Sequence, residues 1–168
     1  MVYALILFAA LSRLLPHPPN ATPVAAMALF GAATLPDRRL ALAAPLMALL
    51  LSDTILGFYG WSGMLAVYGA TLLCGLLGRL LVGRERRSGG RIAAAAVGGS
   101  VLFFVVTNGA CWWTGYPHTA AGLTDCFVLA LPFFRNEALA TLAGSAILFG
   151  GHALLLRAAA RRRLTAPV

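Results

Sequence analysis

The chain has 168 residues, of which 60% are hydrophobic and only 11% charged, whereas soluble domains are roughly half apolar and a quarter charged. Its formal net charge of +8 comes wholly from Arg, because Lys is absent, and the Arg residues are clustered. This excludes a water-soluble globular domain and a disordered chain, and it points to membrane topology rather than a nucleic-acid surface.

With a helical rise of about 1.5 Å per residue and a hydrocarbon core of roughly 30 Å, apolar runs near twenty residues mark crossings. The first segment, 3–15, is short; no basic region precedes it, so it is expected to be retained rather than cleaved as a signal peptide. The turn Pro16-His17-Pro18-Pro19-Asn20 stops it, and Asn20 or Thr22 is expected to cap the short second segment, 23–35. Segments 40–58, 62–82, 92–113 and 138–158 follow.

Arg placement orients them. Arg38 and Arg39, then Arg84, Arg86, Arg87 and Arg91, then Arg157 with Arg161 to Arg163 share one side only if six segments cross and both termini lie on that side, the cytoplasmic one. Segment 120–131 is apolar enough for a helix, but counting it as a further crossing would move the last Arg cluster outside. It is therefore expected as a short non-crossing helix on the outer side, stopped by Pro132. Asn136 would cap the last span and Glu137 would complement its dipole. The expected fold is one all-α, six-transmembrane-helix bundle over residues 1–168, with outer loops 16–22, 59–61 and 109–136 above an outward-facing pocket.

Candidate binding residues gather on that outer side. Asp53 lies fourteen residues beyond Arg39, so about 21 Å along its span; at that depth a carboxylate needs a partner, and Arg13 is the candidate. The pair is either purely structural or the floor of a site. His17 is either part of a rigid turn or a polar group at the mouth. Trp61, Trp112, Trp113, Tyr59 and Tyr116 are either interfacial anchors or the walls of an aromatic pocket beside Asn108, His118, Asp125, Arg135 and Asn136. Cys126 is either a buried thiol or, with His17 and His118, a soft metal ligand. Three Cys without a Cys-x-x-Cys pair indicate neither a disulfide framework nor a zinc site, so no metal is expected. Ala28 and Ala32 form a small-xxx-small pair suited to close helix approach. Gly-x-Ser-x-Gly, His-Glu-x-x-His and phosphate-loop patterns are absent from the sequence, so neither an enzyme nor a cofactor is expected.

Several motifs together resemble a small bacterial membrane family of unknown function. They are Arg13-Leu-Leu-Pro-His-Pro-Pro-Asn20, Thr22-Pro-Val-Ala-Ala-Met-Ala-Leu-Phe-Gly31, Ser52-Asp53 with Gly57-Phe58, Thr107-Asn108, Tyr116-Pro-His-Thr-Ala-Ala-Gly-Leu123, Cys126 and Leu131-Pro-Phe-Phe-Arg-Asn136. That family is in turn similar to the substrate-binding S components of energy-coupling-factor vitamin transporters. The resemblance implies a six-helix fold with cytoplasmic termini in the bacterial inner membrane, and a vitamin-sized ligand under the first, third and fifth loops. It also implies docking of a transmembrane coupling subunit with its ATPases through a small-residue surface, here Ala28 and Ala32. The expected partners are then a small-molecule ligand, membrane lipid and those subunits, with no nucleic acid. The competing expectation is a non-transporting scaffold similar to a rod-shape-determining membrane protein.

Overall fold

The computed structural model describes residues 2–83 and 87–164; Arg84 and Arg86, and the side chain of Arg163, lie outside the described residues. Every regular element described is helical: α1 (Val2–Leu11), a 3-10 turn (Ser12–Leu14), α2 (Val24–Thr34), α3 (Arg38–Leu56), α4 (Trp61–Leu81), α5 (Gly89–Gly115) and α6 (Ala120–Leu164). Four of these, α3 to α6, are long and apolar enough to cross a membrane. At about 1.5 Å per residue, α1 and α2 span roughly 15 Å each, so the expected count of six crossing helices is not met.

Local chemistry sets the ends. Asp37 caps α3 by accepting from the Arg39 amide at 2.8 Å, and Ser88 caps α5 by accepting from the Arg91 amide at 3.3 Å. Gly57 leaves α3 at φ 98°, a conformation that disfavours any Cβ. α2 begins at Pro23 without a side-chain cap, so neither Asn20 nor Thr22 has the capping role expected of it. Asn20 instead bends the preceding turn in the left-handed region, at φ 61°.

α2 is the axis of the molecule, since all of its residues are buried and it touches every other α-helix. Small residues let the others approach it. A Cβ on Gly78 of α4 would sit 2.6 Å from the Leu29 carbonyl oxygen, and one on Gly144 of α6 would sit 2.8 Å from Pro23 Cβ. Ala28 and Ala32, 0% and 3% exposed, pack against Gly75 of α4. The pair serves close helix approach as expected, but inside the molecule, where a partner subunit does not reach it. Phe30 meets Phe149 of α6 edge to face at 5.1 Å. The outward faces of α3 to α6 carry exposed Leu, Ile and Val, as a lipid-facing surface does.

The larger correction concerns 108–136. α5 continues to Gly115, α6 starts at Ala120, and Pro132 lies inside α6. The expected long loop and its separate non-crossing helix are therefore one helical hairpin with a connection of four residues, 116–119. Phe104 contacts both Phe127 and Phe134 across it, at 5.5 and 4.8 Å between ring centres. Proline removes one helical hydrogen bond, yet a helix packed along its length against a neighbour carries that loss. Residues 120–131 are thus the first turns of α6, the last of the helices long enough to cross, which preserves the Arg parity that seemed to forbid their crossing. Asn136 and Glu137 consequently lie within α6 rather than at its cap.

The chain direction places Arg38, Arg39, Arg91, Arg157, Arg161 and Arg162 at one end of the bundle. Arg87 ties that end together: its Nη2 donates to the Ala33 carbonyl at the close of α2 at 3.0 Å, and its Nη1 lies 3.4 Å from His152 of α6. A cation at a helix C-terminus satisfies free carbonyls and opposes the dipole.

Candidate ligand cavity

The 3-10 turn after α1 carries Arg13 across to α3. Its Nη2 donates to Asp53 Oδ1 at 3.0 Å, and its Nη1 donates to Ser52 Oγ and to the Leu49 carbonyl. Tyr68 of α4 donates to Asp53 Oδ2 at 2.8 Å. Asp53 is 1% exposed, so the expected ion pair exists with both carboxylate oxygens bonded, which is the condition under which a buried charge is tolerated. Tyr68 escaped the sequence reading. It lies fifteen residues from Asp53 on the adjacent helix, and only the α3 to α4 turn brings the two together.

Above this pair lies a cavity of about 320 Å³, within the usual range for small-ligand sites. Arg13, His17, Asn20 and Tyr59, all expected site residues, line it, joined by Thr107 and Glu137. Taking Arg91 as one hydrocarbon boundary, Phe103 and Thr107 on the wall lie about 18 and 24 Å along α5, in the half of the bilayer away from the Arg-rich end. The first turn of α2 closes the bottom through Val24 and Ala25, presenting the positive end of that helix. Burial raises the Tyr59 phenol above its ordinary value; the Asp53 charge adds to this and Arg13 opposes it.

Glu137 is the cavity-lining side chain whose setting the sequence misplaced. It is 6% exposed, Thr141 donates to its Oε1 at 2.8 Å, and the Ser100 hydroxyl of α5 faces its carboxyl group. A signal was present, since an Asp or Glu within an apolar helix implies an interior polar site. Placing the start of the helix at residue 136 turned that signal into a dipole argument.

The remaining expected residues divide. Asn136 donates to the Pro19 carbonyl at 3.1 Å and so ties the 15–22 loop to α6. His17 lies on the rim, its ring nitrogens 2.9 and 3.2 Å from the Pro18 and Arg13 carbonyls. The rest do not line the cavity. Asn108 bonds back to Phe104 in its own helix, its carbonyl oxygen meets the Cys126 thiol, and Asp125 and Arg135 are exposed. Trp112, Trp113 and His118 cluster at the tip of the hairpin, His118 stacked on Trp113 at 4.7 Å and Trp112 set at a steep angle to both, and Tyr116 belongs to the same turn. Trp61 is 79% exposed. About twenty residues of rise from Arg91 traverse a roughly 30 Å core and end at Trp112 and Trp113, the level of an aromatic belt. Cys74 and Cys126 are buried thiols and Cys111 is exposed, all three free. Among the described residues no group of three His, Cys, Asp or Glu is placed to hold a metal ion.

Fold and site together define an all-helical membrane bundle with a buried ion pair beside a largely apolar cavity that carries a few polar groups. The chain belongs to the DUF6580 family of unknown function, whose model matches residues 1–164. No curated protein and no solved structure matches the chain.

Proposed function

We propose that this protein is a membrane-embedded binding and uptake protein for a small micronutrient, related in kind to the S components of vitamin transporters. The observation that carries the reading is the cavity of about 320 Å³, set in one half of the bundle over a neutralised ion pair and edged by the 15–22 and 57–60 loops. Two of the three loops that the resemblance places over a ligand thus border one cavity; the α5–α6 hairpin takes the place of the third and contributes Thr107 and Glu137. Arg clustering favours a cytoplasmic Arg-rich end, with the cavity opening to the outside of the inner membrane. Because Ala28 and Ala32 are internal, a coupling subunit would engage another face, and a solitary transporter fits the same geometry.

Native mass spectrometry of the protein in dodecyl maltoside tests the reading. A small molecule should co-purify at near one per chain and be lost from Thr107→Phe, which fills the cavity wall, but retained in Trp113→Ala at the hairpin tip. An empty cavity together with a stoichiometric protein partner would support the scaffold instead.

A further inference from the structure

The charged side chains around the cavity are spent within the protein. Both Nη atoms of Arg13 bond to Asp53, Ser52 and the Leu49 carbonyl, and its Nε is buried. Asp53, behind it, accepts from Arg13 and from Tyr68. Glu137 accepts from Thr141 at Oε1, its Oε2 is buried, and the Ser100 hydroxyl faces its carboxyl group. The ring nitrogens of His17 lie against the Pro18 and Arg13 carbonyls. An entering ion therefore meets no free counter-charge. To pair with it, Arg13 would have to leave Asp53, or Glu137 would have to leave Thr141, and an ion drawn out of water without a partner is costly. The two fields that remain, the positive end of α2 and the Glu137 carboxyl, have opposite signs.

What the lining offers instead is carbon and neutral polar groups. Val24, Ala25, Leu49, Val67 and Phe103 form its body. Asn20, Thr22 and Tyr59, on the two loops that edge it, also line it; each is partly exposed, and among the described residues no hydrogen bond engages their side chains. The Tyr59 hydroxyl feels both Arg13 and Asp53, which places it over that pair. Burial holds the phenol in its neutral form, which both donates and accepts.

We infer that the ligand is an uncharged amphipathic molecule, with an apolar ring or chain in the body of the cavity and a hydroxyl, carbonyl or carboxamide group at the mouth beside Tyr59 and Asn20. This inference rests on the proposed ligand-binding role of the cavity and adds the class of ligand.

The test uses three probes that share one skeleton and differ in charge: 2-naphthylmethanol, 2-naphthoate and 2-naphthylmethylamine. Isothermal titration on the full chain in dodecyl maltoside, at about pH 7, gives their affinities. Thr107→Phe and Val67→Trp, which fill the cavity from α5 and from α4, separate binding in the cavity from partition into the micelle. The alcohol should bind at least about tenfold more tightly than either ion, and both filling variants should abolish its binding. Tyr59→Phe should weaken the alcohol about two- to tenfold, and Trp113→Ala at the hairpin tip should leave it unchanged. Circular dichroism confirms that the variants fold.

An ion that binds the cavity as tightly as the alcohol overturns the inference while leaving a ligand-binding cavity. An alcohol indifferent to Tyr59→Phe overturns the placement of the polar group at the mouth. If the probes are silent but native mass spectrometry finds a bound compound, its charge decides: an uncharged compound supports the inference, and an ionised one overturns it. Silent probes with an empty spectrum overturn the ligand-binding role itself.

Discussion

Replacing Asp53 by Leu removes the carboxylate that Arg13 contacts in an ion pair and the acceptor of the Tyr68 hydroxyl. Asp53 is 1% exposed and the Arg13 side chain 11%, so water does not take over the stranded guanidinium. Breaking a buried pair from one side costs about 3–5 kcal/mol, and a hydrogen bond to a charged group contributes about 1.5–3 kcal/mol. Tyr68→Phe should therefore cost about half as much as Asp53→Leu. Replacing both ions, as in Arg13→Met with Asp53→Leu, leaves no orphan charge and should fall within about 2 kcal/mol of the parent. The assay is reversible unfolding in dodecyl maltoside micelles titrated with dodecyl sulfate, followed by far-ultraviolet circular dichroism, with the parent, Arg13→Met, Asp53→Leu and their double variant read as a double-mutant cycle. A cost below about 1 kcal/mol for Asp53→Leu, or a double variant equal to the sum of the singles, would refute the claim that Asp53 exists to neutralise Arg13.

Three further outcomes follow from the packing. Gly78→Ala, whose Cβ would meet the Leu29 backbone at 2.6 Å, should destabilise by about 1–3 kcal/mol, whereas Gly109→Ala, with nothing within 4 Å, should be neutral or stabilise by up to about 1 kcal/mol; the same unfolding titration compares them. A maleimide reagent applied to the folded protein should modify Cys111 and leave Cys74 and Cys126 untouched until unfolding, with peptide mass mapping as the readout; fast labelling of Cys126 would place 120–131 away from α5. A cysteine at Thr119, in a background lacking Cys111, should react with a membrane-impermeant maleimide on intact spheroplasts, and one at Arg161 only after lysis; the reverse pattern would invert the proposed orientation.

Much of the architecture is legible in the chain. Apolar run length and Arg position locate α3, α4 and α5 and the C-terminal part of α6, because the solvation cost of backbone and charge in hydrocarbon acts on each segment separately. The Arg13–Asp53 pair is legible for the same reason, since a buried carboxylate demands a cation whatever the fold. Only the tertiary structure decides the rest. Whether Pro132 ends a helix or sits inside one depends on packing between α5 and α6 along their length, evident in the contacts of Phe104 with Phe127 and Phe134. The same packing turns 108–136 from a lid into a hairpin, sends the Trp112, Trp113 and His118 cluster to its tip, and brings Glu137 to the cavity. The complete burial of α2 likewise depends on Gly75, Gly78 and Gly144, contributed by helices remote in sequence. Segment-by-segment solvation determines what must be helical and what must be paired. Which polar groups share a cavity is a property of the assembled bundle, because their proximity arises from contacts between helices far apart in the chain.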